Sequence, residues 1–124
     1  MRSTVRRSSV ETDRPLRPRV VDPDGAFETI QAITGRKWHL RIVYHLLDEP
    51  RGFSDLKGAL DGISAKMLSE SLSTLEARGV VNRTVVSDRP VRVEYALTER
   101  GRALEPALEA LLDWTGTYGP TEDA

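Results

Sequence analysis

Between Phe53 and Gly79 two short apolar stripes follow one another closely, and their spacing constrains the fold more than any other feature of the chain. The first, Phe53, Leu56 and Leu60, repeats at i, i+3 and i+7, with Ser54 and Asp55 at its start. The second, Leu68, Leu72 and Leu75, is preceded by Ser64, a residue suited to an N-cap, and ends at Gly79, suited to the turn that closes a helix. Residues three and four apart share one face of a helix, so each stripe predicts a helix with one side turned inward. Asp61-Gly62 between them is a turn signal. Two helices joined by about three residues that include glycine have the form of a helix-turn-helix.

The flanks complete the pattern. Asp22-Pro23 offers an N-cap and a proline at the first helical position, and Phe27, Ile30 and Ile33 follow at helical spacing, which predicts a first helix over 23–33. Gly35 interrupts it. Trp38, Ile42, Val43, Leu46 and Leu47 form a second stripe that Glu49-Pro50 stops. Beyond Gly79, Val80, Val81, Val85 and Val86 precede the polar Ser87-Asp88-Arg89-Pro90. Val91, Val93, Tyr95 and Leu97 then alternate with Arg92, Glu94 and Ala96. This reads as a β-hairpin whose loop is too long and polar for a tight turn. Thr98 is read as the cap of one last helix carrying Leu104, Leu108, Leu111 and Leu112, which Gly116 ends.

The predicted fold is mainly α with a small β-hairpin: a winged helix-turn-helix. Residues 1–21, rich in Arg, Ser and Pro, read as a flexible arm with too little apolar surface to order itself. Residues 22–116 form the domain and 117–124 a polar tail. A chain of 124 residues has room for one such domain.

That order of elements points to a nucleic-acid partner on grounds of fit. A helix is about 10–12 Å across and the B-DNA major groove about 12 Å wide, so a helix braced from behind can present its N-terminal residues to base edges. With Leu68, Leu72 and Leu75 turned inward, Ser64, Ala65, Lys66, Ser69, Glu70 and Ser73 point outward. Ser64 and Lys66 lie where free amides and the helix dipole favour a phosphate. Arg89 and Arg92 beside Pro90 are placed to meet phosphates or a narrow minor groove, with Arg83 on the first strand bracing the hairpin or touching phosphate. Against each contact stands the plain alternative of a solvated surface charge, which applies equally to Lys37, Arg51 and Lys57.

Net charge is −1, but its distribution is uneven. Residues 1–20 hold six arginines against Glu11 and Asp13, residues 36–92 hold ten Lys or Arg against seven acids, and from residue 93 onward seven acids face Arg100 and Arg102. The middle is basic and the end acidic, which suits a polyanion partner better than the total does. No cysteine is present, so disulfides, thiolate nucleophiles, cysteine zinc sites and thiol sensors are excluded. No apolar run approaches a membrane span, and the acids after Arg6-Arg7 occupy the place an export signal needs for its apolar region, so a cytoplasmic protein is expected. His39 and His45 are six apart, off the spacing that puts two imidazoles on one metal, and no acid cluster completes a site. His45 and Asp48 lack an activated nucleophile. No enzyme, metal or cofactor is expected.

Gly35-Arg36-Lys37-Trp38, Phe53-Ser54-Asp55-Leu56, Gly62 to Leu68, Leu72 with Leu75-Glu76, and Arg92 to Thr98 with Gly101 together resemble the HxlR-type branch of winged helix transcriptional regulators, over residues 22 to 114. The resemblance implies a homodimer, assembled through the first and last helices, on double-stranded DNA with two-fold related half-sites. Phe27 and Ile30, with Leu104, Leu108, Leu111, Leu112 and Trp114, are the residues expected at the dimer contact, since one small domain cannot cover them all. A small-molecule effector is compatible with this reading and nothing in the sequence names one. Two departures matter. The family commonly has Cys-Pro where this chain has Asp22-Pro23, and Gln, Arg or Lys where it has Glu70, Ser71 and Ser73. Glu70 can accept a hydrogen bond from a cytosine amino group or simply repel phosphate. The competing function is a winged domain for protein contact, an adaptor without specific DNA binding.

Overall fold

The computed structural model describes residues 22–119; the arm at 1–21 and the end of the tail lie outside the described residues. The chain divides into two units, through Gln31 and from Ala32 onward. The described part of the first is helix α1 (Pro23–Thr34), which continues into the second. It starts where Asp22-Pro23 predicts, with the Asp22 carbonyl accepting the Ala26 N–H at 3.0 Å. Phe27 and Ile30 are exposed.

The second unit is built on α2 (His39–Leu46), β1 (Arg51–Gly52), α3 (Phe53–Ala59), α4 (Ala65–Ala77), β2 (Val81–Asp88), β3 (Val91–Leu97), α5 (Glu99–Arg102) and α6 (Glu105–Tyr118). Each stripe read from the sequence turns its apolar side into one core. Ile42, Val43 and Leu46 from α2, Leu56 from α3, Leu68, Leu72 and Leu75 from α4, and Val80 and Val81 at the start of the hairpin are almost fully buried. Trp38 joins them at the base of α2. Burying a Leu, Ile or Val side chain contributes about 1.5–3 kcal/mol, so this cluster is the main source of stability.

The turn between α3 and α4 closes through Ile63 N–H to the Leu60 carbonyl at 3.1 Å, and Gly62, at φ 91°, supplies the left-handed residue. Helix α4 begins as its sequence predicts: Ser64 is the N-cap and its hydroxyl accepts the Met67 N–H at 3.0 Å. It ends in a Schellman motif. Gly79, at φ 76°, donates to the Glu76 carbonyl at 3.0 Å, and Val80 donates to the Leu75 carbonyl at 2.9 Å.

Four readings need correction. The two residues before α3 form a short strand, β1, antiparallel to β3 with Arg51 opposite Tyr95, so the sheet has three strands in the order β1-β3-β2. Two residues are too few for alternation to register. The hairpin loop is shorter than expected: strands run to Asp88 and resume at Val91, leaving only Arg89-Pro90, a cis peptide, between them. Polarity marks exposure here rather than loop, because the far end of the ribbon is solvated on both faces. The last helix is two. Thr98 caps α5, and α6 starts anew at Glu105-Pro106, whose proline suits the first turn. Helix α6 also continues through Gly116 to Tyr118, since an exposed glycine weakens a helix without having to end it.

Thr98 ties the hairpin root to α5. Its hydroxyl accepts the Gly101 N–H at 2.9 Å and donates to the Gly79 carbonyl at 2.5 Å, while its N–H donates to the Val80 carbonyl at 3.0 Å. Gly101 lies so close that a Cβ there would overlap the Val80 carbonyl oxygen.

Candidate nucleic-acid interface

Helix α4 separates its two jobs by angle. At about 100° per residue, Lys66, Ser69, Glu70 and Ser73 fall within one arc of roughly 100°, and the buried Leu68, Ser71, Leu72 and Leu75 occupy a similar arc on nearly the opposite side. The burial agrees: Ser64, Ala65, Lys66, Ser69, Glu70 and Ser73 are all exposed. Ser71, which departs from the family's residue types together with Glu70 and Ser73, is only 4% exposed. A single polar residue inside an inward stripe leaves no periodic mark, because its hydroxyl is small enough for the interior. From Lys66 to Ser73 the outward row rises about 10 Å, close to three base-pair steps.

The start of α4 carries the local electrostatics. Ser64 satisfies the Met67 N–H, while the Ala65 and Lys66 amides have no helical carbonyl four residues back to receive them and point out of the helix end. The hairpin adds Arg83 on β2, Arg89 at the turn and Arg92 on β3 opposite Ser87, all exposed. The ion pair found among the described residues is Arg51–Glu49 at 3.7 Å, so none of Lys66, Arg83, Arg89 and Arg92 is neutralised by a described carboxylate.

Other basic residues are used structurally. Arg51 donates from Nε to the His45 carbonyl at 2.7 Å, and Arg102 donates from Nη1 to the Leu47 carbonyl at 3.0 Å, so two guanidinium groups close the C-terminal end of α2. Lys37 and Arg41 lie over the Trp38 ring at 4.7 and 5.3 Å. His39 is buried, its Nδ1–H donating to the Ile33 carbonyl at 3.1 Å; desolvation pushes its pKa below the ordinary value. It is a core residue. No group of three or more His, Asp or Glu among the described residues could hold a metal ion, and no described helix is long and apolar enough to cross a membrane.

The residues expected at a dimer contact separate. Leu108 is 6% exposed and belongs to the core, with Leu104 partly buried against it. Leu111 and Trp114 are 54% and 58% exposed, and Leu112 is also open. Tyr118, which the sequence reading passed over as tail, is exposed and meets Trp114 at 5.7 Å between ring centroids. Its spacing of four from Trp114 was the available signal. Val85, Val86 and Val91 on the hairpin are exposed as well, although all three are apolar. A pocket of about 620 Å³ lies among α2, the end of α3 and α6, lined by Trp38, Arg41, Tyr44, Leu60, Leu108 and Leu112 among others.

The model of the HxlR-like helix-turn-helix family matches residues 33–123. The uncharacterized HTH-type transcriptional regulator YvaP of Bacillus subtilis is 42% identical over 88 residues, covering 71% of this chain and 82% of the relative. The crystal structure of the HTH-type transcriptional regulator ytcD superposes with a TM-score of 0.72 at 39% identity, over 74% of this chain and 94% of the other. The quinone-bound structure of YodB from B. subtilis gives 0.66 at 31% identity, over 75% and 98%.

Proposed function

The chain belongs to the HxlR-like helix-turn-helix family of DNA-binding transcriptional regulators and is not an enzyme; from that premise we propose that it acts as a homodimer on double-stranded DNA with two-fold related half-sites. In this reading α4 enters the major groove. Ser64, Ala65 and Lys66 meet the backbone and first base edges, and Ser69, Glu70 and Ser73 read onward. Arg89 at the wing turn contacts phosphate or the minor groove, with Arg83 and Arg92 on neighbouring backbone. The observation that carries this is the opposition on α4 of a buried apolar face and a wholly exposed polar one. An adaptor would need no such row beside four cations that no described carboxylate pairs.

The dimer contact is assigned to α1 through Phe27 and Ile30 and to α6 through Leu111, Leu112, Trp114 and Tyr118, each exposed in the single chain. Leu104 and Leu108 support the α6 part of it from within the core. The relative YodB has been seen with bound quinone. With no cysteine in this sequence, an effector here binds without a thiol adduct, and the pocket among α2, α3 and α6 offers it room.

Footprinting purified protein over the DNA flanking its own gene tests the whole reading. Two protected half-sites about 34–36 Å apart, or a multiple of that, are expected. With about six to eight phosphate contacts, affinity should fall with salt at a log-log slope of roughly −5 to −7. A stable single chain without protected sites would return the adaptor reading.

A further inference from the structure

We infer that Glu70 is a base-reading residue that selects cytosine at one position of each half-site, an inference that rests on the placement of α4 in the major groove. Nothing among the described residues accounts for a carboxylate at this point. Glu70 is exposed, near the middle of the outward row, and makes no ion pair with a described residue. Its neighbour on that row is Lys66, four residues earlier, in the weaker order for a helical pair. As the sixth residue of α4 it lies beyond the first turn, where the helix dipole favours acids.

Toward DNA, a carboxylate loses against phosphate and against every acceptor on the groove floor. It gains only from an exocyclic amino group. Guanine shows two acceptors in the major groove and thymine an acceptor and a methyl; adenine shows its amino group beside the N7 acceptor; cytosine shows the amino group as a lone donor. Cytosine is therefore the base whose edge a carboxylate can meet without facing an acceptor on that base. Ser69 and Ser73 flank Glu70 with side chains too short to compete for the same edge.

The test selects duplexes from a random library with wild-type protein. Fluorescence anisotropy is then measured on all four bases at each half-site position for wild type, Glu70→Gln and Glu70→Ala. Wild type should prefer cytosine at one position by about 5- to 150-fold over the next base. Glu70→Gln should move that position toward adenine, which a carboxamide can bind at N6 and N7. Glu70→Ala should level the four bases there, leave other positions unchanged and bind random duplex more tightly, having lost a negative charge. A cytosine preference that survives in Glu70→Ala, or a wild-type site without such a position, overturns the inference alone. Wild-type protein that binds all duplexes alike overturns the groove placement as well.

Discussion

Replacing Gly101 with alanine should loosen the joint between the hairpin root and α5. The added methyl would overlap the Val80 carbonyl oxygen and lie 3.1 Å from both the Val80 carbonyl carbon and Cγ1. Neither neighbour can swing away. The carbonyl accepts from Thr98 N–H at 3.0 Å and the side chain belongs to the buried core, so β2 and α5 must part by roughly an ångström. Overpacking of this kind costs about 1–3 kcal/mol. Misalignment of the Thr98 hydroxyl with the Gly101 N–H can add about 1 kcal/mol, while the better helix propensity of alanine returns about 0.5–1 kcal/mol. The net is a loss of about 1–3 kcal/mol, or a fall in Tm of about 5–20 °C for a unit of this size. Thermal unfolding followed by circular dichroism at fixed protein concentration measures it, since self-association makes Tm concentration-dependent. Gly58→Ala is the internal contrast. Nothing lies within 4 Å of a Cβ built there, so it should gain about 0.5–1 kcal/mol. A Gly101→Ala protein as stable as wild type, beside a stabilised Gly58→Ala, would refute the argument from close approach.

Arg89→Ala should weaken binding to every duplex and flatten the salt slope by about 1.8, one phosphate contact per protomer; an unchanged slope in a salt titration removes the wing turn from the contact set. Leu111→Glu with Trp114→Glu should convert the proposed dimer to a single chain in sedimentation while circular dichroism stays unchanged, because both side chains are open to solvent; a persisting dimer places the contact elsewhere. His39 has a folded pKa below its unfolded value, so the unfolded chain binds its proton first. The stability this group contributes is complete above about pH 6.5 and declines as pH falls from there toward the folded pKa. Urea unfolding between pH 8 and 5.5 should show that decline, and His39→Asn should reduce it; equal slopes in the two proteins would refute the assignment.

Much of this was readable because it is periodic or local. The stripes on α2, α3 and α4 repeat at three and four, Ser64 and Gly79 have cap chemistry independent of tertiary context, and the outward row on α4 follows from locating its inward one. What escaped has a shared physical cause. Strand β1 is two residues long and exists only through pairing with β3, so it has no pattern of its own. The break between α5 and α6 was signalled by Pro106, yet the leucines on either side sustain one apparent stripe across it. Ser71 and the exposed wing valines show the limit of reading polarity as exposure, since burial at a given position depends on what stands opposite. The tasks given to Arg51 and Arg102 were equally hidden, because a guanidinium bonded to a distant carbonyl looks in sequence like any surface charge.

Because the leucines that hold α4 in place and the side chains it offers outward are disjoint sets, the proposed groove placement makes target preference in this scaffold rewritable. If α4 lies in the groove as proposed, exchanging Ser69, Glu70 or Ser73 should alter the message without disturbing the letterpress that prints it. A collection of variants at these three sites should unfold within a narrow temperature range while diverging widely in the duplexes they choose.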